Sequence, residues 1–547
     1  MKFVLKSFFS ILLLLSATAS LADCNTPCAT ACAPKTCLTE CPNQCGEAFG
    51  KTFFSYRPQD SNVARRMVGV IDKTHLSDKE EFYGVATLGL QYTETFENQD
   101  LARFLSFNDN TFMTYGPSCG AFDIYGLNFG TTGTNGIAFA SADLSPAVAA
   151  TTTAGGVCLN PKIKNFIAEV DLFTSWDNFV CGLWTRLTLP VVRTTWNLNV
   201  KEAPTGTSAT GNYPINSVTC AAGTTAPVRF ANLTQAWENL GAFGNAPAGE
   251  FGKLSSNCNR HTTALAGLHF ELGYDFYRSE TCFLGLGAHV VAPTGTTPDA
   301  RLFFEPVAGA NHSWQLGATV QAGYRLWENC DGNQSLALYL DSVITHLFAS
   351  RQRRLFGLKV NGASSPGSSF LLLKQFNLDG TLATNCLQRA ENLLAIESKI
   401  KADVMADLAI MLQYEKCNYS TGCGYNFWLR TKEKITENFC NPLVNSASLY
   451  AIKGSTLANN TQTQSTATIG ACGNTDATSV FLTPADIDPC IALNSRVFSN
   501  KLFGFIGHTW KEREYMPFIL LEAEVEFGNN NKAVDQWGVM LKGGISF

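Results

Sequence analysis

The sequence predicts an all-β protein, a transmembrane antiparallel β-barrel of about 14 strands within a range of about 12–16. Three observations predict it. Polar and apolar residues alternate along many segments, these segments reach the about 9–11 residues of a tilted membrane-spanning strand, and their connections alternate between short and long. No stretch after residue 22 approaches the ~18 consecutive apolar residues of a membrane helix. The apolar residues are therefore expected on one face of each strand.

The alternation is clearest in three segments. In "WQLGATVQAGYRLW" apolar residues from Trp314 to Leu326 alternate with polar residues and glycines, and "LHFELGYDF" and "LLEAEVEF" repeat the pattern, which is typical of amphipathic strands. A soluble sandwich would bury the apolar faces, whereas a membrane barrel turns them to lipid and lines its lumen with the polar faces. The length of the segments favours the barrel.

Short turns join the predicted strands in pairs, and long loops separate the pairs. The pairs are predicted near 162–174 and 180–194, 264–277 and 282–292, 314–326 and 334–348, and 400–415 and 422–434. The short "GNNNKAV" joins strands near 517–527 and 537–547, and "WKEREYMP" turns back into a strand near 498–509. "FYGVATLGLQYTETF" adds another strand, whereas "FGKTFFSY" is either a strand or a plug. Short helices are expected at "ENLLAIESKI" and "ADIDPCIAL" in the long loops. In such barrels the short turns are periplasmic and the long loops are extracellular.

The first 22 residues have the pattern of a secretory signal peptide, because Lys2 and Lys6 precede an apolar run and small residues lead to Ala22. The run is short for a membrane anchor. Asp23 also disfavours a lipoprotein, whose signal has a small residue before the modified cysteine. The predicted domains are a signal peptide (1–22), a cysteine-rich segment (23–48) and a barrel (49–547).

The C-terminal stretch "WGVMLKGGISF" carries a family resemblance. It places Trp537, Val539 and Leu541 on one face and ends on Phe547, much like the closing strand of Gram-negative outer-membrane barrels. In that family the assembly machinery recognises the terminal aromatic residue, so Phe547 is the predicted assembly signal. From about residue 80 the chain resembles a porin-type barrel of the major outer membrane protein type. The resemblance implies a bacterial outer-membrane location, the barrel assembly machinery as a partner and a periplasmic position for residues 23–48.

Charged residues of both signs are predicted to line the lumen, where rings of charge set ion preference. The predicted pore-lining residues are Arg186, Glu271, Asp275, Arg325, Glu522, Glu524 and Glu526. Aromatic residues expected at the membrane interface beside the short turns are Trp176, Tyr277, Trp327, Tyr414 and Trp510.

Clustered cysteines in an exported chain favour disulfide bonds. The candidates are Cys24, Cys28, Cys32, Cys37, Cys41, Cys45, Cys417 and Cys423. They could form a local staple or link neighbouring molecules, since the total of 19 cysteines is odd. A metal site is the weaker alternative, because no histidine interleaves the six N-terminal cysteines and the paired C-x-x-C spacing of zinc sites is missing.

The sequence lacks the common catalytic motifs H-E-x-x-H, G-x-S-x-G and the Walker loop. His269 beside Glu271 would suit acid–base chemistry, but a solvated histidine is the simpler interpretation. We therefore expect no enzyme activity and no cofactor. Loss of Lys2 and Lys6 with the signal peptide takes the formal net charge from −5 to −7, which argues against a nucleic-acid partner.

The favoured function is that of a porin, through which small hydrophilic solutes diffuse passively along a charged, water-filled lumen. A structural or adhesive envelope protein with a plugged barrel, cross-linked by disulfide bonds, is the main alternative, and an outer-membrane enzyme is a weaker one. The expected partners are the lipid bilayer, the barrel assembly machinery, small hydrophilic solutes, and further copies in a homo-oligomer or disulfide-linked neighbours.

Overall fold

The structure is a computed structural model of the 547-residue chain. It describes residues 49–77, 82–96, 99–106, 112–115, 121–124, 127–132, 136–141, 155–204, 233–238, 246–255, 259–359, 366–436, 442–443, 447–453, 465–466, 478–513, 515–529 and 533–547.

Twelve antiparallel strands form a closed barrel. They are Gly84–Thr95, Lys162–Ser175, Leu183–Asn197, Leu268–Arg278, Cys282–Ala292, Gln315–Glu328, Gln334–Leu347, Met405–Lys416, Tyr419–Arg430, Val497–Thr509, Met516–Gly528 and Gln536–Ser546. The first strand pairs with both the second and the last, which closes the sheet. A closed sheet satisfies its backbone hydrogen bonds internally, as a lipid environment requires. A further strand, Arg260–Leu265, pairs only with Leu183–Asn197 outside the ring.

The predicted all-β barrel is confirmed, with a strand number at the lower end of the expected range. "FYGVATLGLQYTETF" contains the first strand, whereas "FGKTFFSY" forms no strand. Phe53 and Phe54 are consecutive aromatic residues, so this segment lacks the alternation of polar and apolar residues that an amphipathic strand needs. Phe53 lies under the Arg354 guanidinium, 3.2 Å from it, and Phe54 packs edge-on against Phe104.

The two predicted loop helices are shorter than expected. "ENLLAIESKI" is helical only within Ala390–Leu394 and continues as the strand Ala395–Ala402. "ADIDPCIAL" contains the 3₁₀ turns Pro484–Asp486 and Cys490–Ala492. Segments of this length do not hold a helix alone, so packing with the surrounding loops decides their conformation.

Large apolar side chains form a belt around the outside of the barrel. On three neighbouring strands Ile506, Leu521 and Leu541 lie side by side, and each is about half exposed. A soluble protein rarely exposes a contiguous apolar surface of this extent, whereas a membrane barrel turns such a band to lipid. The exterior is therefore that of a transmembrane barrel.

The two ends of the barrel differ as the sequence predicts. One end, the turn end, carries the short turns at 176–182, 279–281, 329–333, 417–418 and 510–515. The other, the loop end, carries the long connections and also the short "GNNNKAV" connection between the last two strands. Four of the five predicted interface aromatic residues, Trp176, Tyr277, Trp327 and Trp510, are exposed at the turn end, and Tyr414 is half-buried. Among the described residues, no helix is long and apolar enough to span a membrane.

Placing arginine on the lipid-facing belt should destabilise the barrel. We expect Leu521→Arg to lower the free energy of unfolding from lipid vesicles by about 2–4 kcal/mol, because a charge near the bilayer midplane loses its hydration. Leu378→Arg is the matched control, since Leu378 is also exposed, at 67% against 53% for Leu521, but lies in a loop outside the barrel wall. Urea titration in vesicles measures both variants. An equal loss in the two would contradict the lipid-facing assignment.

The long connections at the loop end pack together into a structure that we call the cap. Its described strands are Phe112–Tyr115, Ala121–Ile124, Leu127–Thr132, Gly136–Ser141, Gly155–Cys158, Lys201–Pro204, Ser350–Leu355, Gly357–Leu358, Leu372–Phe376, Leu382–Arg389, Ala395–Ala402, Glu433–Ile435, Leu449–Ile452 and Ile487–Asp488. Its described helices are Gln99–Leu105, Leu233–Trp237 and Ala390–Leu394, with a 3₁₀ turn at Ser368–Phe370. A large buried apolar cluster that includes Phe356, Leu372 and Ile487 joins several of these loops.

A largely buried carboxyl group in the cap should make cap stability depend on pH. Burial raises the pKa of Glu305 to about 7, although the backbone N–H groups of Asp299 and Ala300 donate to its carboxyl oxygens. In the unfolded chain the same group titrates near 4.5. The unfolded state therefore loses its proton first. The stabilising contribution is complete below about pH 4.5 and is lost as the pH rises through about 7.

We expect the cap to lose about 1–3 kcal/mol of local stability across this pH range, and Glu305→Gln to abolish that dependence. Hydrogen exchange of the Asp299 and Ala300 amides measures this local stability. Wild type and variant are compared at the same pH, so that the intrinsic exchange rate cancels. Exchange that changes equally with pH in wild type and variant would assign the dependence to another group.

Candidate functional site

The N-terminal part of the described chain passes through the barrel lumen, and we call residues 50–76 the plug. At the loop end the backbone N–H of Gly50 donates to the carbonyl of Ser106 at 2.8 Å, within the cap. At the turn end the N–H of Leu76 donates to the hydroxyl of Tyr83 at 2.8 Å, just before the first strand. The plug therefore runs the full length of the lumen, and its first residues lie at the loop end.

A short helix, Val63–Met67, forms the centre of the plug. The side chain of Asn62 caps its start by accepting a hydrogen bond from the Arg65 N–H at 3.0 Å. From the wall, Lys542 Nζ donates to the carbonyls of Arg65 and Val68 at 2.9 and 3.1 Å. A helix of five residues has no stability of its own, so these wall contacts hold it. A 3₁₀ turn, Ile71–Lys73, follows it.

Gly69 lets the plug approach the wall closely after the helix. Its φ is +70°, a left-handed conformation that favours glycine. A Cβ atom at this position would lie 2.1 Å from Cδ2 of Leu520. No larger residue fits here unless the plug or the wall moves.

Three plug arginines contact acidic side chains of the wall, each at a separate station. At the outer station, nearest the cap, Arg57 donates to Asp407 at 2.7 Å, to Asn426 at 2.7 Å and to Glu526 at 3.2 Å. Every side chain here is buried. Charge-assisted hydrogen bonds of this kind are about twice as strong as neutral ones.

The middle and inner stations bind the two adjacent arginines of the plug helix. Arg65 donates to Glu169 at 2.6–2.8 Å and to Gln91 at 2.9 Å. Arg66 makes two hydrogen bonds to Asp341, at 2.5 and 3.0 Å, and a third contact to Glu271. Consecutive helix positions point in different directions, so the pair reaches two parts of the wall.

Histidines extend the polar contacts beside the inner station. Nδ1 of His289 lies 2.7 Å from Glu271, its Nε2 lies 3.3 Å from His269, and His269 lies 3.2 Å from Asp60 of the plug. Nearer the turn end, the plug residue His75 lies 2.8 Å from Asp275 on the wall. The His269 and Glu271 pair that sequence analysis considered for acid–base chemistry thus belongs to the contacts that hold the plug.

Six of the seven predicted pore-lining residues point into the lumen and are buried, namely Arg186, Glu271, Asp275, Glu522, Glu524 and Glu526. Arg325 lies apart from them, half-exposed beside a turn, where it pairs with Glu328 at 2.8 Å. A register shift between Arg325 and Trp327 ends the regular alternation there. Whether the six line a conducting path remains a prediction.

The sequence analysis identified neither the plug arginines nor several of the charged wall residues around them. The plug arginines lie in "QDSNVARRMVG", which has no period of two and no recognised motif. Wall residues that were not singled out are Glu169, Asp171, Asp341, Asp407, Arg430, Lys501 and Lys542. All seven occupy the polar face of predicted strands, so the alternation could have identified them.

The plug fills the lumen in this conformation. Two cavities beside it have volumes of about 10 and 20 Å³, room for about one water molecule each. Among the described residues the plug occupies the lumen, and a water-filled conducting lumen remains a prediction. Within the described residues, no group of three His, Cys, Asp or Glu side chains is arranged to hold a metal ion.

Only two of the eight predicted disulfide cysteines lie among the described residues. The six N-terminal candidates, Cys24, Cys28, Cys32, Cys37, Cys41 and Cys45, and with them the segment 23–48, lie outside the described residues. Cys417, in a short turn, and Cys423, within the strand Tyr419–Arg430, are exposed free thiols, so no bond joins these two. A bond to a neighbouring molecule remains a prediction for both.

Phe547 lies where the barrel closes. Its backbone N–H and carbonyl exchange two 2.9 Å hydrogen bonds with Gly84, the first residue of the first strand. Its role as an assembly signal remains a prediction.

The chain matches no protein-family model, and no curated protein matches it. Several solved structures resemble its fold. An outer membrane channel from Pseudomonas putida F1 has 9% identity and a TM-score of 0.33, over 85% of this chain and 96% of that one. The translocator domain of the autotransporter NalP from Neisseria meningitidis has 8% identity and a TM-score of 0.27, over 89% and 95%.

A FadL homologue from Pseudomonas aeruginosa has 8% identity and a TM-score of 0.25, over 85% of this chain and 90% of that one. The TM-scores of all three matches are low. The matches carry no weight for the function of this chain.

Proposed function

We propose that the protein is an outer-membrane channel that its own plug closes in this conformation, and that small hydrophilic solutes cross when the plug moves. One observation carries the proposal. Residues 50–76 contribute no strand to the closed sheet, so the plug can leave without breaking a backbone hydrogen bond between barrel strands. A lumen that is closed by a separable segment is suited to gating.

The side chains that line the lumen support the proposal that the solutes are polar. Charged and amide side chains such as Asp171, Asp341, Gln91 and Gln321 occupy inward positions of the strands. Once hydrated, such a surface favours polar solutes over apolar ones. The general-porin function predicted from sequence thus becomes that of a gated channel.

The proposed location is the bacterial outer membrane, with the lipid bilayer and the barrel assembly machinery as partners. Support comes from the closed antiparallel sheet with its lipid-facing belt, the architecture of outer-membrane barrels. We propose no enzymatic activity, since His269 and Glu271 both take part in contacts that hold the plug.

A structural envelope protein with a permanently plugged barrel is the second candidate, and the outer part of the plug favours it. Phe54 and Tyr56 belong to the large apolar cluster of the cap. Thr52 and Lys51 also bond to cap carbonyls, those of Leu355 and Cys490. Such anchoring opposes release of the plug at the loop end.

Planar-bilayer recording of the intact protein distinguishes the two candidates. A gated channel should show long closed periods interrupted by discrete openings whose frequency depends on voltage or pH. A permanently plugged barrel should remain silent at every voltage, although the protein is folded and inserted. Silence of this kind would remove the channel proposal for the intact protein.

A further inference from the structure

The wall of the lumen carries a large excess of negative charge. All twelve barrel strands are described, and nine buried carboxylates lie on their inward faces: Glu169, Asp171, Glu271, Asp275, Asp341, Asp407, Glu522, Glu524 and Glu526. Four buried cations accompany them: Arg186, Arg430, Lys501 and Lys542. The plug arginines neutralise part of this excess, so movement of the plug would expose an acidic lumen.

The stations are shaped for planar nitrogen cations. At the outer station Arg57 divides its donors between the Asp407 carboxylate and the Asn426 amide oxygen. At the middle station Arg65 does the same with Glu169 and Gln91. A carboxylate beside an amide oxygen presents several acceptors, which suit the several forked donors of a guanidinium group. The plug thus occupies the stations as a cationic ligand would.

Glu522 is an acidic group on the same wall to which the plug donates no hydrogen bond. It is only 1% exposed, and neither carboxylate oxygen has a hydrogen-bond partner among the described residues. Its neighbour Glu524 is paired with Lys501 at 2.8 Å. An unpartnered buried carboxylate is costly unless a cation or water reaches it, so this position is ready to accept one.

We propose that the opened lumen conducts cationic solutes that carry guanidinium or amine groups, and that the carboxylates now holding the plug arginines are their binding stations. This inference rests on the proposed channel function and names its solute class. The plug arginines and an incoming cation would compete for the same carboxylates. Such solutes would therefore also favour the open state.

The first test measures ion preference in the intact protein. Reversal potentials of its openings in a potassium chloride gradient should show at least about threefold preference for potassium over chloride. L-Arginine should enter proteoliposomes at least about threefold faster than L-citrulline, its uncharged isostere, because only arginine presents a guanidinium group to the stations. Equal preference for the two ions, or equal entry of the two amino acids, overturns the inference and leaves the channel itself standing.

Glu522→Gln tests the wall without disturbing the plug, because Glu522 makes no hydrogen bond to lose. We expect it to reduce the potassium preference roughly twofold. Glu397→Gln is the matched control, since Glu397 is an exposed carboxylate in the cap, and it should leave the preference unchanged. An unchanged preference in Glu522→Gln would overturn the role of this carboxylate, and an equal drop in both variants would point to a surface effect.

If the intact protein stays silent, the same reversal potentials are recorded on the variant that lacks residues 50–76. Cation preference in that variant supports the inference even though gating of the intact protein has failed. Anion preference, or silence of the deletion variant as well, overturns it.

Discussion

Deletion of residues 50–76 is expected to raise single-channel conductance about tenfold or more, because a barrel of this width then holds water instead of a polypeptide segment. Two cavities beside the plug have volumes of about 10 and 20 Å³. The barrel itself should persist, because strand pairing closes the ring from Gly84–Thr95 to Gln536–Ser546 without the plug.

The deletion variant must first be shown to be folded, by β-rich circular dichroism and a heat-modifiable shift in gel mobility. Leu378→Arg in the intact chain serves as the control, since it changes an exposed loop residue and leaves the plug in place. A folded deletion variant with the conductance of that control would show that the cap, and not the plug, closes the lumen.

The second large effect should come from Arg66. Its guanidinium lies between Asp341 and Glu271, and all three side chains are buried. Replacing it with methionine leaves two carboxylates buried without their cation, which typically costs about 3–5 kcal/mol. We therefore expect urea titration to show that the free energy of unfolding of Arg66→Met is lower by this amount. Openings should also become more frequent, because the plug loses its inner station.

A matched substitution and a rescue separate this effect from general damage. Arg103→Met breaks an exposed pair with Asp100 in the cap, and such pairs contribute about 0–1 kcal/mol. Adding Glu271→Gln and Asp341→Asn to Arg66→Met should restore most of the stability, because the inner station then holds no buried carboxylate without its cation. If Arg66→Met lowers the free energy of unfolding as little as Arg103→Met does, the carboxylates of the inner station are already solvated by water.

The local alternation of polar and apolar residues was enough to predict the barrel. The period of two in segments such as "LLEAEVEF" put Leu521 and Glu522 on opposite faces of the strand, and in the structure Leu521 is exposed on the outside of the barrel whereas Glu522 is buried inside it. The alternation of short turns and long loops predicted which connections share an end. These features are readable because side chains of a strand alternate between two faces whatever the strand's neighbours are.

The closure of the lumen depended on contacts between distant parts of the chain. Arg57 meets Asp407 and Glu526 across sequence separations of 350 and 469 residues, and no local pattern around Arg57 indicates those partners. The alternation assigned both Glu271 and Arg325 to the lumen, but the structure buries only Glu271 and leaves Arg325 half-exposed beside a turn.

The sequence by itself therefore determined that the chain forms a barrel, which faces of its strands meet lipid and where its loops lie, because these follow from local periodicity. Only the tertiary structure decided that residues 50–76 occupy the lumen and that the wall carboxylates bind arginines of the same chain. The physical reason is that an amphipathic strand specifies the polarity of its surroundings, whereas pairing of buried charges depends on which side chains the closed sheet brings within about 3 Å.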